Sequence, residues 1–171
     1  GDKGLIDSLA ATKELGDILG ISESQILMCS TGVIGELIPM KQLINKLPIL
    51  VNKLDERNFK DASEAILTTD LVSKRFIIER FIAGRRIRIA GFAKGSGMIY
   101  PNMATMLAFI VCDVGIEKKT WDAMLKDSLQ TSFNSISVDG ETSTNDSFIA
   151  INSGELIEKQ YLPIIQEGID M

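Results

Sequence analysis

The sequence predicts an α/β protein built from helical and β-rich layers. Apolar residues recur at helical spacing near the N-terminus and again beyond residue 117. Two β-rich segments joined by a short turn occupy the middle of the chain. Hydrophobic residues make up 45% of the 171 residues, which is enough for a buried core. We therefore expect the chain to form one domain or a large part of one.

The first part of the chain has a mainly helical pattern. Gly20 is typical of a helix end, Asn58 of a helix cap, and Pro48 is expected to interrupt a helix. The apolar run 25–29, just before Ser30-Thr31-Gly32, is typical of a short buried strand. The expected elements are helices over 4–19, 37–54 and 59–67, with the strand over 25–29.

The second part alternates β-rich and helical segments. Ala83-Gly84-Arg85 is a plausible hairpin turn between two strands. The apolar run 106–111 predicts a strand in the centre of a sheet. The expected elements are strands over 76–82, 87–92, 106–111 and 148–151, a helix over 118–133, and a helix in the remainder of the chain.

Charge and composition exclude several classes of function. The net charge of −5 is spread along the chain, which argues against a nucleic-acid surface. The basic cluster Arg85, Arg86, Arg88 alternates as in a strand and is interpreted as a solvated face rather than a phosphate patch. The chain contains no histidine, so a Cys–His or Ser–His–Asp mechanism and a histidine-ligated metal are excluded within it.

The sequence also predicts where the protein resides. No apolar stretch is long enough to span a bilayer, and residues 1–4 do not begin a signal peptide, so no membrane association is expected. Cys29 and Cys112 lie in apolar stretches and are expected to be buried and reduced. We therefore expect a cytoplasmic protein.

Three polar loops follow or precede predicted strands, at 30–35, 93–105 and 139–146. Lys94 precedes the glycines of the second loop, so the spacing of a phosphate-binding P-loop is absent. Asp139, Glu141 and Asp146 of the third loop carry metal-ligand chemistry, but the spacing of a calcium loop is absent. Structural support of a site is the default interpretation of that third loop.

Thr105 suggests nucleophilic catalysis without histidine. A threonine is a nucleophile when its own α-amine acts as the base, which requires cleavage of the chain just before it. Ala104 is small, so the Thr105 hydroxyl can attack its carbonyl in an N-to-O acyl shift. Taken alone, a threonine at the start of a strand is more often only a β-former.

Four stretches in one order resemble the ornithine acetyltransferase family, the bifunctional glutamate N-acetyltransferases of arginine biosynthesis. The run Lys94 to Phe109, KGSGMIYPNMATMLAF, resembles the family's autoprocessing signature. The other three follow the family's order, so that the four together are spread over nearly the whole chain: Ser30-Thr31-Gly32-Val33-Ile34-Gly35, Thr68-Thr69-Asp70, and Ser132-Phe133-Asn134 through the loop 139–146.

The resemblance implies roles for individual residues. Thr105 matches the catalytic threonine, freed by self-cleavage between Ala104 and Thr105. Thr31 and Gly32 match the oxyanion hole, through a hydroxyl and a backbone N–H. Lys94 matches a substrate-binding lysine that meets a carboxylate, and Thr68 matches a further substrate contact, although Thr69 next to it could serve instead. Taken singly, Lys94 is more readily a solvated loop lysine, Thr68 a helix-terminating cap, and Thr31-Gly32 an ordinary turn.

The resemblance also implies the fold and the reaction. It implies a sandwich of sheets between helices, shared with self-processing aminopeptidases and incomplete here, with residues 1–171 as a single partial domain. The implied reaction is ping-pong acetyl transfer from N2-acetylornithine to glutamate through an acetyl-Thr105 intermediate. It needs no metal and no cofactor, although some family members also accept acetyl-CoA. After cleavage the two chains of family members stay paired and assemble into a larger oligomer.

Two alternatives remain open from the sequence. An N-terminal-nucleophile aminopeptidase or amidohydrolase would use the same threonine, with water resolving the acyl-enzyme. Family members are more than twice as long as this chain, and their C-terminal part supplies further substrate contacts. The chain is therefore alternatively an inactive fragment.

Overall fold

The computed structural model describes residues 2–99 and 106–170. The chain divides into two compact units, Gly1–Lys60 and Asp61–Met171, and each is described by itself. The interpretation of residues 1–171 as a single partial domain stays a prediction.

The first unit is built around two helices, α1 (Asp2–Leu19) and α2 (Met40–Asn52), which pack against each other. Helix α1 ends as expected, since Gly20 takes the left-handed conformation (φ 69°) that terminates helices. Helix α2 continues through Pro48, so the predicted interruption is wrong. Ala11 and Leu47 are the buried apolar side chains of the two helices.

The strand predicted over 25–29 is wrong. Gln25 instead closes a 3-10 turn, Glu23–Gln25, that Ser22 caps. The Ser22 side chain accepts from the backbone N–H of Ser24, and the Gln25 amide oxygen accepts from the Ser22 N–H. These local hydrogen bonds satisfy the backbone without a strand partner. Residues 26–30 have no regular structure, and none of them is fully buried.

The helix predicted over 59–67 is shorter than expected and differs at its start. It is α3 (Phe59–Ala65), and a 3-10 turn, Glu56–Asn58, precedes it. Asn58 does not cap the helix, because its amide donates back to the carbonyl of Lys53 at 2.7 Å.

The second unit contains a four-stranded sheet in the order β1-β2-β3-β4. The strands are β1 (Lys74–Ile82), β2 (Arg85–Lys94), β3 (Leu107–Cys112) and β4 (Ser147–Asn152). The first three strands are antiparallel neighbours, whereas β3 and β4 run parallel. The interior position predicted for the apolar run that became β3 is confirmed.

Two helices, α4 (Lys118–Thr131) and α5 (Leu162–Ile169), pack on one face of this sheet. The close approach of α5 to β2 requires Gly168, since an added Cβ there would lie 2.7 Å from the Ile89 side chain. The core between the helices and the sheet includes Ile87, Ile89, Ile110, Cys112, Trp121, Met124, Ile165 and Ile169. This mixed arrangement confirms the predicted α/β class.

The final helix is shorter than predicted. Helix α5 begins only at Leu162, because the chain before it pairs with the segment that follows β3. The Gly115 N–H donates to Glu155 and the Ile157 N–H donates to Gly115, both at 2.9 Å.

Alternation along the strands leaves apolar side chains on the sheet face away from α4 and α5. Among the described residues, Ile77, Phe81, Val111 and Ile151 expose 61%, 78%, 47% and 56% of their surface. Phe92 and Phe109 contact each other across β2 and β3, with ring centroids 4.9 Å apart. The two helices of the second unit therefore cover one face of its sheet only.

Candidate active site

The end of β2 and the starts of β3 and β4 lie together at one end of the sheet. Lys94, the last residue of β2, pairs with Leu107, the first residue of β3. Leu107 in turn pairs with Ser147, the first residue of β4. Lys94 therefore lies beside the strand that begins two residues after Thr105, and the loop ending at Asp146 reaches the same edge.

Lys94 is buried, with only 1% of its surface exposed. Its ammonium has no hydrogen-bond partner among the described residues. Burial lowers the pKa of Lys94, while the charges of Asp70 and Asp146 act against that shift. The interpretation of Lys94 as a solvated loop lysine is wrong, because a solvated lysine would keep its ammonium in water.

Asp70 binds Gly95, the first residue of the loop after β2. One of its oxygens, Oδ1, accepts from the Gly95 N–H at 2.8 Å and from the ammonium of Lys74. The other, Oδ2, is buried and unpaired among the described residues. Burial raises the pKa of Asp70, but the hydrogen bonds from Lys74 and Gly95 outweigh it, and the net shift is downward. Asp70 is therefore an ionised carboxylate at neutral pH, held by these hydrogen bonds.

Asp146 holds the start of β3. Its Oδ1 accepts from the N–H of Met106 at 2.8 Å, and the Met106 carbonyl accepts from the N–H of Ser147 at 2.9 Å. Its Oδ2 is buried without a partner among the described residues. Both polar backbone groups of Met106, the residue directly after Thr105, are thus tied to the start of β4.

The loop after β2 also contacts the other two polar segments of this unit. The Ser96 hydroxyl lies 2.5 Å from that of Thr69. The Met98 N–H donates to the Asp139 carboxylate at 3.3 Å, and Ile99 pairs with Val138. Thr68-Thr69-Asp70, the glycine-rich loop and the loop 139–146 therefore meet at the same end of the sheet.

The structure locates some of the predicted site residues and not others. Ala104 and Thr105 lie outside the described residues. Thr68 is exposed and lies beyond the end of α3, so it is not a helix cap, and its backbone contacts the Asp70 carboxylate. Within the second unit, Lys94 and Thr68 both lie near Asp70, and their roles in substrate binding stay a prediction.

Thr31 and Gly32 belong to the first unit. Both are exposed, and they follow an irregular segment instead of the buried strand that the sequence predicted. The turn nearby lies just after them, where the Glu36 N–H donates to Val33 and Gly35 takes a positive φ of 90°. Their role in an oxyanion hole stays a prediction.

Sequence reasoning missed the part that Asp70 and Asp146 take in the site. Asp70 was noted only as part of a motif, and Asp146 only as the end of a loop without an assigned role. One signal was available in the sequence, because each carboxylate lies shortly before a predicted strand. Only the register of the sheet, which the structure shows, places both near Lys94.

Other predicted features have simpler outcomes. Arg85, Arg86 and Arg88 expose about half of their side chains and form ion pairs with Glu155, Glu79 and Asp113.

Cys112 is buried as expected, whereas Cys29 is only half-buried, and both are free thiols. Within 2–99 and 106–170, no helix has the length and apolar character needed to cross a membrane.

This arrangement defines a class of site: a buried ammonium at the end of an α/β sheet, with N–H donors that no residue in the described part of the chain uses. A lysine ammonium has three donors, and a substrate carboxylate or phosphate is the chemical complement of such a group. The fold and site thus define an α/β protein with a buried ammonium that is chemically suited to an anionic group.

Comparison with known proteins gives the family. The model of the ArgJ family matches residues 1–169, and the chain therefore belongs to the ArgJ family. An "Arginine biosynthesis bifunctional protein ArgJ" from Prochlorococcus marinus subsp. pastoris (strain MED4) is 60% identical over 171 residues, which is 100% of this chain and 42% of that protein. A protein named ArgJ 1 from Nostoc sp. (strain PCC 7120) is 48% identical over 155 residues, 91% of this chain and 38% of the relative.

A solved structure agrees with the fold. The crystal structure of the arginine biosynthesis bifunctional protein argJ from Bacillus halodurans aligns with a TM-score of 0.53 at 38% identity. The alignment covers 61% of this chain and 55% of that one. The chain spans about two fifths of the length of the curated relatives it matches.

Proposed function

We propose that this chain carries the nucleophile and part of the substrate pocket of an acetyltransferase that moves an acetyl group from N2-acetylornithine to glutamate. The observation that carries the proposal is the buried ammonium of Lys94, which has no hydrogen-bond partner among the described residues, beside the strand that starts after Thr105, in a chain of the ArgJ family. Relatives named as bifunctional proteins of arginine biosynthesis support the pathway.

The proposed mechanism begins with autoproteolysis. The Thr105 hydroxyl attacks the carbonyl of Ala104, and the acyl group moves from nitrogen to oxygen, which frees the α-amine of Thr105. Water then hydrolyses the resulting ester, so that the first chain ends in the Ala104 carboxylate and the Thr105 hydroxyl is restored. That amine then serves as the general base, a role that no histidine of these 171 residues can take.

Acetyl transfer follows in two halves. The Thr105 hydroxyl attacks the acetyl carbonyl of N2-acetylornithine, its proton passes through the α-amine to the departing amino group, and ornithine leaves. The amino group of glutamate then attacks the acetyl ester and restores free Thr105. Thr31 and Gly32 stabilise the oxyanion of both steps, Lys94 and Thr68 hold the substrate, and no cofactor takes part. Acetyl-CoA is a candidate alternative donor.

Assembly belongs to the same proposal. The two chains made by cleavage stay together, and such pairs form a larger oligomer in the cytoplasm. The residues 1–171 then form one partial domain of the complete enzyme, whose remaining substrate contacts lie in the rest of the relatives' length.

Replacing Thr105 tests this function. The assay measures ornithine release with and without glutamate, on the purified chain and on the Prochlorococcus marinus relative carrying these 171 residues in place of its own. Glutamate is expected to accelerate release by the hybrid. Thr105→Ala is expected to abolish cleavage and to lower the rate at least about 10³-fold, because the nucleophile and base are lost together. Thr120→Ala, on α4, is the matched control.

The outcomes separate the alternatives. Ornithine release that ignores glutamate would identify a hydrolase. An active hybrid beside an inactive 171-residue chain would show that the chain holds an incomplete site. A hybrid without any ornithine release, or a cleaved and active Thr105→Ala variant, would refute the proposal.

A further inference from the structure

Asp146 links two parts of the site at the end of the sheet, the backbone at the start of β3 and the surroundings of the Lys94 ammonium. Its Oδ1 accepts from the Met106 N–H at 2.8 Å, while its Oδ2 is buried with no partner among the described residues. The start of β4, where Asp146 stands, pairs with the start of β3, which in turn pairs with the end of β2 at Lys94.

The Lys94 ammonium poses a physical problem that its surroundings must solve. A buried ammonium that makes no hydrogen bond tends to lose its proton, because the charged form is poorly solvated. Only the protonated form attracts a carboxylate. A direct ion pair would keep the proton but would occupy the N–H donors that a substrate needs.

The carboxylates of Asp70 and Asp146 offer a solution without that cost. Both act on the charge of Lys94, yet neither hydrogen-bonds to it, since Lys94 Nζ, Asp70 Oδ2 and Asp146 Oδ2 are all buried and unpaired among the described residues. Asp70 is itself fixed by Lys74 and Gly95, and Asp146 by Met106. Two hydrogen-bonded carboxylates therefore favour the ammonium, while none of its three donors is used by a residue within 2–99 and 106–170.

We propose that Asp146 is a positioning residue of the acetyl-transfer site, in which one carboxylate oxygen fixes the start of β3 behind Thr105 and the other, together with Asp70, keeps Lys94 charged and ready for a substrate carboxylate. The proposal rests on the function proposed above for this site. It also assigns a role to the loop 139–146, to which the motif resemblance gives none.

Asp146→Asn separates the two tasks of this side chain. The asparagine amide oxygen still accepts from the Met106 N–H, but the negative charge is gone. Asp146→Ala removes both. Glu141→Gln is the matched control, since it removes a charge from an exposed position of the same loop.

The first test measures the charge of Lys94 directly and needs no activity. The ε-carbon of Lys94 is followed by NMR in the purified chain with ¹³C-labelled lysine, and Lys94→Met assigns the signal. The charged groups that act on Lys94 are Asp70, before β1, and Asp146, before β4, with the ammonium of Lys74 bonded to Asp70. Asp146→Asn and Asp70→Asn are both expected to lower the pKa of Lys94, whereas Glu141→Gln leaves it unchanged. An unchanged titration in Asp146→Asn would overturn the proposal, whatever Asp70→Asn does.

The second test measures catalysis in the Prochlorococcus marinus hybrid. In Asp146→Asn, KM for N2-acetylornithine is expected to rise at least about tenfold at a pH where only the parent Lys94 keeps its proton, with kcat within about threefold of the parent. The rise of KM with pH should begin at a lower pH than in the parent. In Asp146→Ala, cleavage before Thr105 and kcat should fall as well.

A failure of the proposed function can be told apart from a failure of the role proposed for Asp146. A parent hybrid without glutamate-dependent ornithine release would refute the proposed function and leave the NMR result to decide on Asp146. An active hybrid in which Asp146→Asn keeps the parent KM and pH profile would refute the role of Asp146 alone. If Asp146→Ala cleaves and turns over like Asp146→Asn, the contact with Met106 has no positioning role.

Discussion

Individual residues of the site combine burial with unused polar groups. Lys94 places an ammonium in a buried setting where a merely structural residue would be apolar. Its neighbours Asp70 and Asp146 each use one carboxylate oxygen on the backbone and leave the other unpaired among the described residues. Unpaired buried polar atoms cost stability, so their concentration at one end of the sheet indicates a binding role.

Asp70 is expected to matter for stability as well as for charge. Asp70→Ala would leave the Gly95 N–H without its acceptor and would remove one of the two acceptors of the Lys74 ammonium, which also donates to the Gly95 carbonyl at 3.1 Å. We expect the free energy of unfolding to fall by about 1–2 kcal/mol, toward the low end for charged hydrogen bonds because Lys74 is half-exposed. Urea denaturation at neutral pH measures the change, and a loss indistinguishable from zero would contradict it.

The same residue predicts a pH dependence. The pKa of Asp70 is lowered in the folded protein, so its charge contributes stability that is complete above the unfolded pKa of about 3.9. That contribution is lost as the pH falls through the lower folded pKa. The stability difference between the parent chain and Asp70→Asn should therefore be constant from pH 7 to about pH 5 and shrink in stronger acid.

Among the helices and strands, the sequence predicted best those whose bounds are set by residues close together in the chain. The hairpin was predictable because Ala83-Gly84 is short and separates two β-rich runs. The structure refines the turn, since Arg85 already belongs to β2 and pairs with Ile82. Helix α1 was predictable for the same kind of reason, from apolar spacing and Gly20.

Elements that depend on partners distant in sequence were not predictable. The apolar run 25–29 has no strand beside it, and a 3-10 turn capped by Ser22 takes its first residue. The start of α5 was set by pairing of residues 155–157 with Gly115, about forty residues earlier. The site follows the same rule: its motifs were visible, but Asp70 and Asp146 became partners of Lys94 only through sheet register.

The β1–β2 turn offers a test at the element scale. Both turn residues have positive φ, 51° at Ala83 and 76° at Gly84, as in a type I′ turn. Alanine is strained in this region and asparagine is tolerated there. Ala83→Asn is expected to raise the free energy of unfolding by about 0.5–1 kcal/mol, and Gly84→Ala to lower it by about 1 kcal/mol. Thermal unfolding checks both, and a stabilised Gly84→Ala variant would contradict the turn.

For the whole molecule, the main conclusion concerns how much of an enzyme the chain contains. It belongs to the ArgJ family along 1–169, yet it spans about two fifths of the length of its curated relatives. The sequence predicted the family, the α/β class and the position of Lys94 at a strand end. Burial of that lysine and its two flanking carboxylates required the folded chain.

The most direct measurement of the central claim is the mass of the enzyme caught between the two half-reactions. The Prochlorococcus marinus relative carrying these 171 residues is incubated with N2-acetylornithine in the absence of glutamate and analysed by intact-mass and peptide mass spectrometry. We predict a chain that begins at Thr105, carries one added acetyl group on that residue, and loses it when glutamate is supplied. An uncleaved Ala104–Thr105 bond, or an acetyl group found on any other residue, would contradict the account.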